Sequence, residues 1–352
     1  MSVWTNWDPL EEVIVGDCYA PGDLDWCISL ELRPVFNNML LETKQDLDNL
    51  AALLKDLGAI VHRPRLYHYQ QPINLSSFSV DIPMAPIVPR DQYLVYGNTI
   101  YQTFTSMIDR FFDGRSYYDI FKTLFENGSN WISQPMPNLW PMTDSKKWMD
   151  NYSNLGRMVY HRLYAKHLLW HTATMFKCGE HLITNTQGPG SQSGLAWMQR
   201  NLPANTIVSA NSDALQNWGH IDHGFFMTDD DTVFCVDRSF VPEVLQNKTI
   251  HEIKSYFPPE KKQRIVQNFE HLLDESKGYE QVVSFNTNVL VVDPHNVIFS
   301  DHHAVLFDHL MSLGVRCHVA PLRHRAFWAA GIHCVTLDIK RRGNKRKIVN
   351  EV

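Results

Sequence analysis

The six cysteines of this chain, at positions 18, 27, 178, 235, 317 and 334, include no Cys-x-x-Cys pair. That absence removes zinc-ribbon spacings and offers no disulfide framework, so the thiols are expected to be free. No apolar run approaches the roughly 18 residues that a membrane-spanning helix needs. The start, Met1-Ser-Val-Trp-Thr-Asn-Trp7, has no basic segment followed by an apolar one, and the expected location is cytoplasmic. Basic charge is also short, with 32 Lys and Arg against 38 Asp and Glu for a net charge of -6. The chain therefore has no footprint for nucleic acid, and its one cationic cluster, Lys340 to Lys347, reads as solvated surface. No linker rich in Pro, Gly or Ser interrupts residues 1–352, which favours a single domain. With 44% hydrophobic residues, the chain has ample apolar surface for a large core.

What is present is a repeated pattern. Residues 13 to 15 read as a strand, residues 35 to 57 as a helix with Leu47, Leu50, Leu54 and Leu57 on one face, and residues 59 to 62 as a second strand after Gly58. Late in the chain, 288–292 and 297–299 flank a turn, a helix spans about 303–313, Gly314 ends it and 315–319 extend. Leu-Lys-Asp-Leu-Gly58 and Leu-Met-Ser-Leu-Gly314 hold equivalent places in these units. Three further copies follow from a hairpin at 93–102 with a helix over 107–125, from 181–184 with a helix at 195–202 and a strand at 206–209, and from strands 225–227 and 232–236. The expected fold class is α/β, with about five strand-strand-helix-strand modules around a pseudo-axis. The acidic turn Asp229-Asp-Asp231 lacks the spaced ligands of a calcium loop and reads as a solvated hairpin tip.

Chemistry concentrates in two places. Cys334 follows Ala-Ala-Gly-Ile-His, where small residues leave room beside the sulfur, whereas Cys235 and Cys317 lie in strand-like runs and read as buried apolar groups. About a hundred residues upstream lies His220-Ile-Asp222. A thiolate nucleophile, an imidazole that moves protons near neutral pH and a carboxylate beside it together suit covalent group transfer. His302, His303 and His309 have no carboxylate or cysteine at metal-ligand spacing, and the chemistry calls for neither metal nor cofactor.

Six segments in collinear order resemble the glycine amidinotransferase family: Asn6 to Gly16, Pro89-Arg-Asp91, Ser106 to Phe112, Trp197 to Leu202, His220-Ile-Asp222, and Gly331-Ile-His-Cys334 with Asp338 to Gly343. The resemblance implies the five-bladed α/β-propeller, or pentein fold, of guanidino-modifying enzymes, with ββαβ modules around a central active site. It implies that Cys334 attacks the guanidinium carbon of an arginine-like donor and that His220 passes protons to the leaving and from the incoming amine. Asp91 and Asp222 match positions around the guanidinium, and Arg238 aligns with an arginine that holds a substrate carboxylate. A homodimer is in keeping with the resemblance.

One departure alters the expectation. The family carries a second active-site aspartate in a Phe-Asp-Ala-Ala-Asp-like segment before a glycine, and here Leu169 to Gly179 places His171 there. No acid occurs between Asp150 and Glu180. A buried guanidinium that loses one carboxylate partner is destabilised by about 3–5 kcal/mol. Near Phe285 to Asn288, small polar residues that hold an amino-acid carboxylate are replaced by Gln281 and Val282. Three readings stay open. In the first, an amidino group moves from a guanidine donor to a small amine acceptor in specialised metabolism. In the second, Cys334 carries an acyl group from a thioester, an acyl carrier protein enters as a partner, and Trp170, Phe327 and Trp328 line an apolar tunnel. In the third, the fold only binds a ligand.

Overall fold

The computed structural model describes residues 2–74, 79–80, 83–104, 108–136, 168–186, 190–212, 214–215, 220–253, 263–265, 279–281, 287–328 and 330–349. Five three-stranded sheets repeat one pattern, an antiparallel pair whose second strand takes a parallel third strand on its other side. Blade one joins the two ends of the chain: Thr336–Arg341 pairs antiparallel with Leu10–Val15, which pairs parallel with Ile60–His62. Blade two is Tyr93–Tyr96, Thr99–Gln102 and Asn130–Ser133. Blade three is Met175–Cys178, His181–Thr184 and Ile207–Ser209. Blade four is Phe225–Met227, Thr232–Cys235 and Thr249–Glu252, and blade five is Leu290–Asp293, Asn296–Phe299 and Arg316–Val319. The pentein fold read from the sequence is the fold observed.

Helices carry the chain from the second strand to the third in four blades: Arg33–Asp56, Asp113–Glu126, Gln192–Asn201 and Ala304–Ser312. Three of them end in one way. Gly58, Gly128 and Gly314 sit at φ 92°, 92° and 81°, a region open to glycine at little cost. The next residue then donates back to a carbonyl five positions earlier, as Ala59 to Leu54, Ser129 to Leu124 and Val315 to Leu310. This shared stop is the physical content of the Leu-x-x-Leu-Gly repeat. The expected helix over 107–125 divides into a 3-10 turn at Ile108–Arg110 and the helix proper from Asp113, and residue 107 lies outside the described residues. Blade four has two 3-10 turns, Arg238–Phe240 and Glu243–Leu245, where the others have a helix.

The strands explain how the blades hold together. In blade two, Tyr93 and Val95 pack with Ile14, Leu337 and Ile339 of blade one, while Leu94 and Tyr96 pack with Met175 and Leu182 of blade three. In blade three, Phe176 and Ile183 turn instead to blade four, and in blade five Val291 and Val297 face blade four while Leu290, Val292 and Ile298 face blade one. Period-two alternation thus sends successive side chains to opposite neighbours, and both faces are buried. Strand runs such as Tyr93-Leu-Val-Tyr96 are therefore apolar throughout rather than alternating.

A charged hub lies inside this apolar ring. The Asp338 carboxylate, fully buried on the closing strand, accepts from Arg90 Nη2 at 2.6 Å, Lys177 Nζ at 2.7 Å and Arg341 Nε at 3.0 Å. Arg341 also donates to the carbonyls of Asp8 and Val291, tying blade five to the chain ends. The cationic cluster expected at the surface is thus partly internal. Arg341 is buried, and Arg346 pairs with Asp8 at 2.8 Å and with Asp230 at 2.6 Å because those carboxylates need its charge. Asp230, read as part of a solvated tip, also accepts from Trp7 Nε1. Burial works against ionised Asp338, yet the three cations hold its carboxyl well below the usual range; burial likewise pushes Lys177 down to about 8, against the pull of Asp338. Asp338→Ala, which strands three buried cations, should cost about 3–5 kcal/mol. Urea unfolding followed by circular dichroism reads this directly, and an unchanged midpoint would exclude the hub as a stabilising element.

Candidate active site

Each blade contributes to the site from the turn that leads into its first strand. Asp91 ends the 3-10 turn Pro89–Asp91, two residues before the Tyr93 strand. His171 precedes the turn Thr172–Thr174, and His220 precedes the turn Ile221–His223. These three turns pack in succession, and the first also packs on the Thr336–Arg341 strand. Asn288 stands just before Leu290, and Cys334 just before Thr336. The His220-Ile-Asp222 segment forms a tight turn. That turn brings Asp222 back beside the Cys334 loop.

Asn288 holds the cysteine. Its Oδ1 accepts from the backbone N–H of His333 at 3.0 Å and of Cys334 at 3.2 Å, which leaves Nδ2 to donate to Cys334 Sγ at 3.1 Å. The two backbone donors settle which way the amide points. Gly331 permits this approach, since a Cβ there would lie 2.4 Å from Asn288 Oδ1. Arg90 Nε donates to the His333 carbonyl at 2.7 Å, so the Asp338 hub and the Cys334 loop share one guanidinium.

The acids lie on the other side of the sulfur. Asp222 Oδ2 is 3.9 Å from Cys334 Sγ and accepts from His333 Nδ1 at 2.7 Å. Asp91 Oδ2 accepts from Arg110 Nη1 at 2.6 Å, while Arg110 also binds Asp113 and the Val88 carbonyl. The remaining oxygens, Asp91 Oδ1 and Asp222 Oδ1, are buried without a hydrogen bond. Asp91 Oδ1 lies 4.0 Å from His220 Nδ1, and Asp222 Oδ1 lies 3.8 Å from His223 Nε2. His171 and His220 ring centroids are 5.8 Å apart.

Electrostatics give these groups distinct states. Burial opposes ionised Asp91, but Arg110 and the neighbouring histidines hold its carboxyl below the usual range. Asp222 behaves likewise, held down by the hydrogen bond from His333. Burial pushes His171 down to about 3 and His333 down to about 4, so both are neutral at physiological pH. Burial first, and then Asp222 and Asp91, raise the Cys334 thiol well above its ordinary value. The resting site is two carboxylates facing a protonated thiol.

The structure thus brings Cys334, His220, Asp91, Asp222 and His171 together. Arg238 stands apart: its guanidinium binds Gln246, and it shares no described contact with those five. Val282 lies outside the described residues. Trp170 packs between blades two and three, Phe327 meets Phe36 edge to face and Trp328 donates to Thr43, all as core contacts. His302, His303 and His309 join no metal-competent group among the described residues. Three participants escaped sequence reasoning. Asn288 was visible in Asn-Thr-Asn288, Arg110 within Ile-Asp-Arg-Phe-Phe112, and His333 beside the nucleophile, but only the fold shows what each one grips.

The chain is similar to known proteins over nearly its whole length. No protein-family model matches the chain. It is 26% identical to inosamine-phosphate amidinotransferase 1 of Streptomyces griseus, covering 97% of each chain. It is 25% identical to the mitochondrial glycine amidinotransferase of Gallus gallus, over 97% of this chain and 82% of that one. Among solved structures, an amidinotransferase of Microseira wollei from the saxitoxin biosynthetic pathway superposes with a TM-score of 0.72 at 21% identity, covering 99% of both chains. The class is a pentein-fold protein with a cysteine, a histidine and paired acids at its centre. Within that class the chain fits the glycine amidinotransferase family.

The raised thiol yields a sign. Alkylation of Cys334 in the substrate-free protein should be slow at neutral pH and climb only under alkaline conditions, because only the thiolate reacts. Asp222→Asn removes a negative neighbour and lowers the thiol pKa, and the reaction should quicken about tenfold for every pH unit by which that pKa falls. Peptide mapping of iodoacetamide adducts across pH measures this. A slower variant would show that Asp222 aids the thiolate instead.

Proposed function

We propose that this protein is a cysteine-dependent amidinotransferase that moves an amidino group from an arginine-like donor to an amine acceptor. The observation that carries the reading is the pair of buried, ionised carboxylates, Asp91 and Asp222, each with one oxygen left without a hydrogen bond, while the other Asp222 oxygen lies 3.9 Å from the Cys334 sulfur. A planar cation with several N–H donors satisfies both oxygens at once. Its charge also offsets the two acids that suppress the thiolate, so donor binding favours deprotonation of Cys334. The thiol proton passes to His220, and the thiolate attacks the central guanidinium carbon. As the C–N bond to the leaving amine breaks, His220 supplies the proton, and an S-amidino-cysteine remains. An entering amine gives a proton back to His220, attacks the same carbon and releases the sulfur. Asn288, donating to Sγ, steadies the anionic sulfur at both stages.

The relatives act on inosamine phosphate and glycine or belong to saxitoxin biosynthesis, as their names state. Those relationships support an acceptor from specialised metabolism. The acyl reading needs an apolar lining, and Trp170, Phe327 and Trp328 are engaged in core packing instead. Incubation with arginine or another guanidine, followed by intact-mass and peptide analysis, should reveal an amidino adduct on Cys334. An adduct formed only with acyl thioesters would replace this reading with acyl transfer.

His171 sets the limit on donor affinity, since it is neutral where a third acid is expected. His171→Asp should lower KM for arginine, by about tenfold or more if one charge-assisted contact of about 1.5–3 kcal/mol is regained. His220→Ala should reduce kcat by about 10²–10⁴ while leaving donor binding largely intact. Steady-state kinetics separates the two effects. A His171→Asp enzyme with unchanged KM would mean that the donor does not reach that side chain.

A further inference from the structure

The replacement that weakens a guanidinium site also builds a different one. Asp91, His171 and His220 present ligand atoms that all lie within 4.8 Å of one another, drawn from three successive blades. A second group, His220, Asp222 and His223, shares His220 and meets the same spacing. Two imidazoles and one carboxylate form a donor set for borderline divalent metals such as zinc or cobalt, and the all-oxygen ligands of calcium or magnesium sites are absent from it.

We infer that Asp91, His171 and His220 bind a divalent transition-metal ion of the zinc class, and that this ion excludes the guanidine donor. Two observations beyond the cluster point to a cation. Asp91 Oδ1 is buried with no hydrogen bond, and the separation of 4.0 Å to His220 Nδ1 is too long for one. Metal bonds of about 2.0–2.2 Å meeting at a tetrahedral angle span about 3.4 Å, so modest side-chain rotation closes the gap. Arg110 fixes the other Asp91 oxygen at 2.6 Å, which leaves Oδ1 as the oxygen available to a ligand.

A metal here occupies the His220 lone pair and the Asp91 oxygen. It therefore blocks the proton shuttle and the cation subsite together. Binding stands independently of the transfer reading, and only its inhibitory consequence rests on that reading.

The test uses chelator-stripped full-length protein titrated with cobalt(II), read by visible absorbance, and with zinc(II), read by calorimetry. The expected result is one ion per chain at micromolar or tighter affinity, with d–d absorption of a nitrogen- and oxygen-ligated centre. His171→Ala and His171→Asn should each weaken binding at least tenfold, the second keeping the buried volume filled should the first fail to fold. Cys334→Ala should retain binding. Absence of binding to the wild type, equal binding by His171→Asn, or loss of binding in Cys334→Ala with a thiolate charge-transfer band in the wild type would overturn the proposal. Adduct formation on Cys334 in the stripped protein reports separately on amidino transfer, so failure of one idea leaves the other standing.

Discussion

Everything at the centre of this molecule depends on how Asp338 shares its carboxylate. Three buried cations from three places in the chain converge on it, and any one left unpaired inside an apolar ring would be strongly unfavourable. The requirement locks Arg90 of blade two and Lys177 of blade three against the strand that closes blade one. Arg90 then has one remaining direction for its Nε, toward the His333 carbonyl. The Cys334 loop is therefore seated by the same ion pairs that close the propeller. This coupling explains how the turn that carries Cys334 is fixed although its residues are short and individually ordinary: its backbone is held by Arg90 and by Asn288.

Charge is layered along the axis. Below the loop, the hub carries three cations around one carboxylate. Above it, Asp91 and Asp222 face the sulfur, with Arg110 bound to the outer oxygen of Asp91. Arg90 and Asp91 are adjacent in sequence and belong to opposite layers, so the 3-10 turn at Pro89–Asp91 is what separates them. Thr172 donates to the Arg90 carbonyl at 2.6 Å and fastens this turn to the one that carries His171. A substitution in either turn consequently moves a member of each layer.

The fold was legible in the sequence because its grammar is local. Gly58 and Gly314 mark helix ends that only a left-handed residue tolerates, and Gly97-Asn98 marks a hairpin, so the repeat can be counted without any long-range contact. The site was legible where a reactive residue type stands in an unusual setting, as with Cys334 and His220. It was not legible where the candidate site is assembled by ordinary residues through distant partners. Asn288 and Cys334 are 46 positions apart, and nothing in the chemistry of an asparagine announces that its amide will meet a sulfur. Arg341 misled for the converse reason. A run of basic residues at the chain end looks solvated until Arg341 is seen to lie buried on the closing strand of blade one.

The thiol raises a question of sequence in time. Left alone, a sulfur beside two carboxylates and out of water stays protonated. A cation seated between the acids would offset their charge and ease the thiol toward its ionised form. The same acids cannot distinguish a guanidinium from a metal ion by charge alone. Geometry makes the distinction: a guanidinium offers planar N–H donors to oxygens on both sides, whereas an ion gathers lone pairs to a point. An aspartate at position 171 would serve the first arrangement well. A neutral imidazole has one lone pair to direct at a point and no charge to spread over a plane, so His171 tilts the balance from donor capture toward metal capture. The residue that departs from the family pattern is thus the one that decides which cation this pocket prefers.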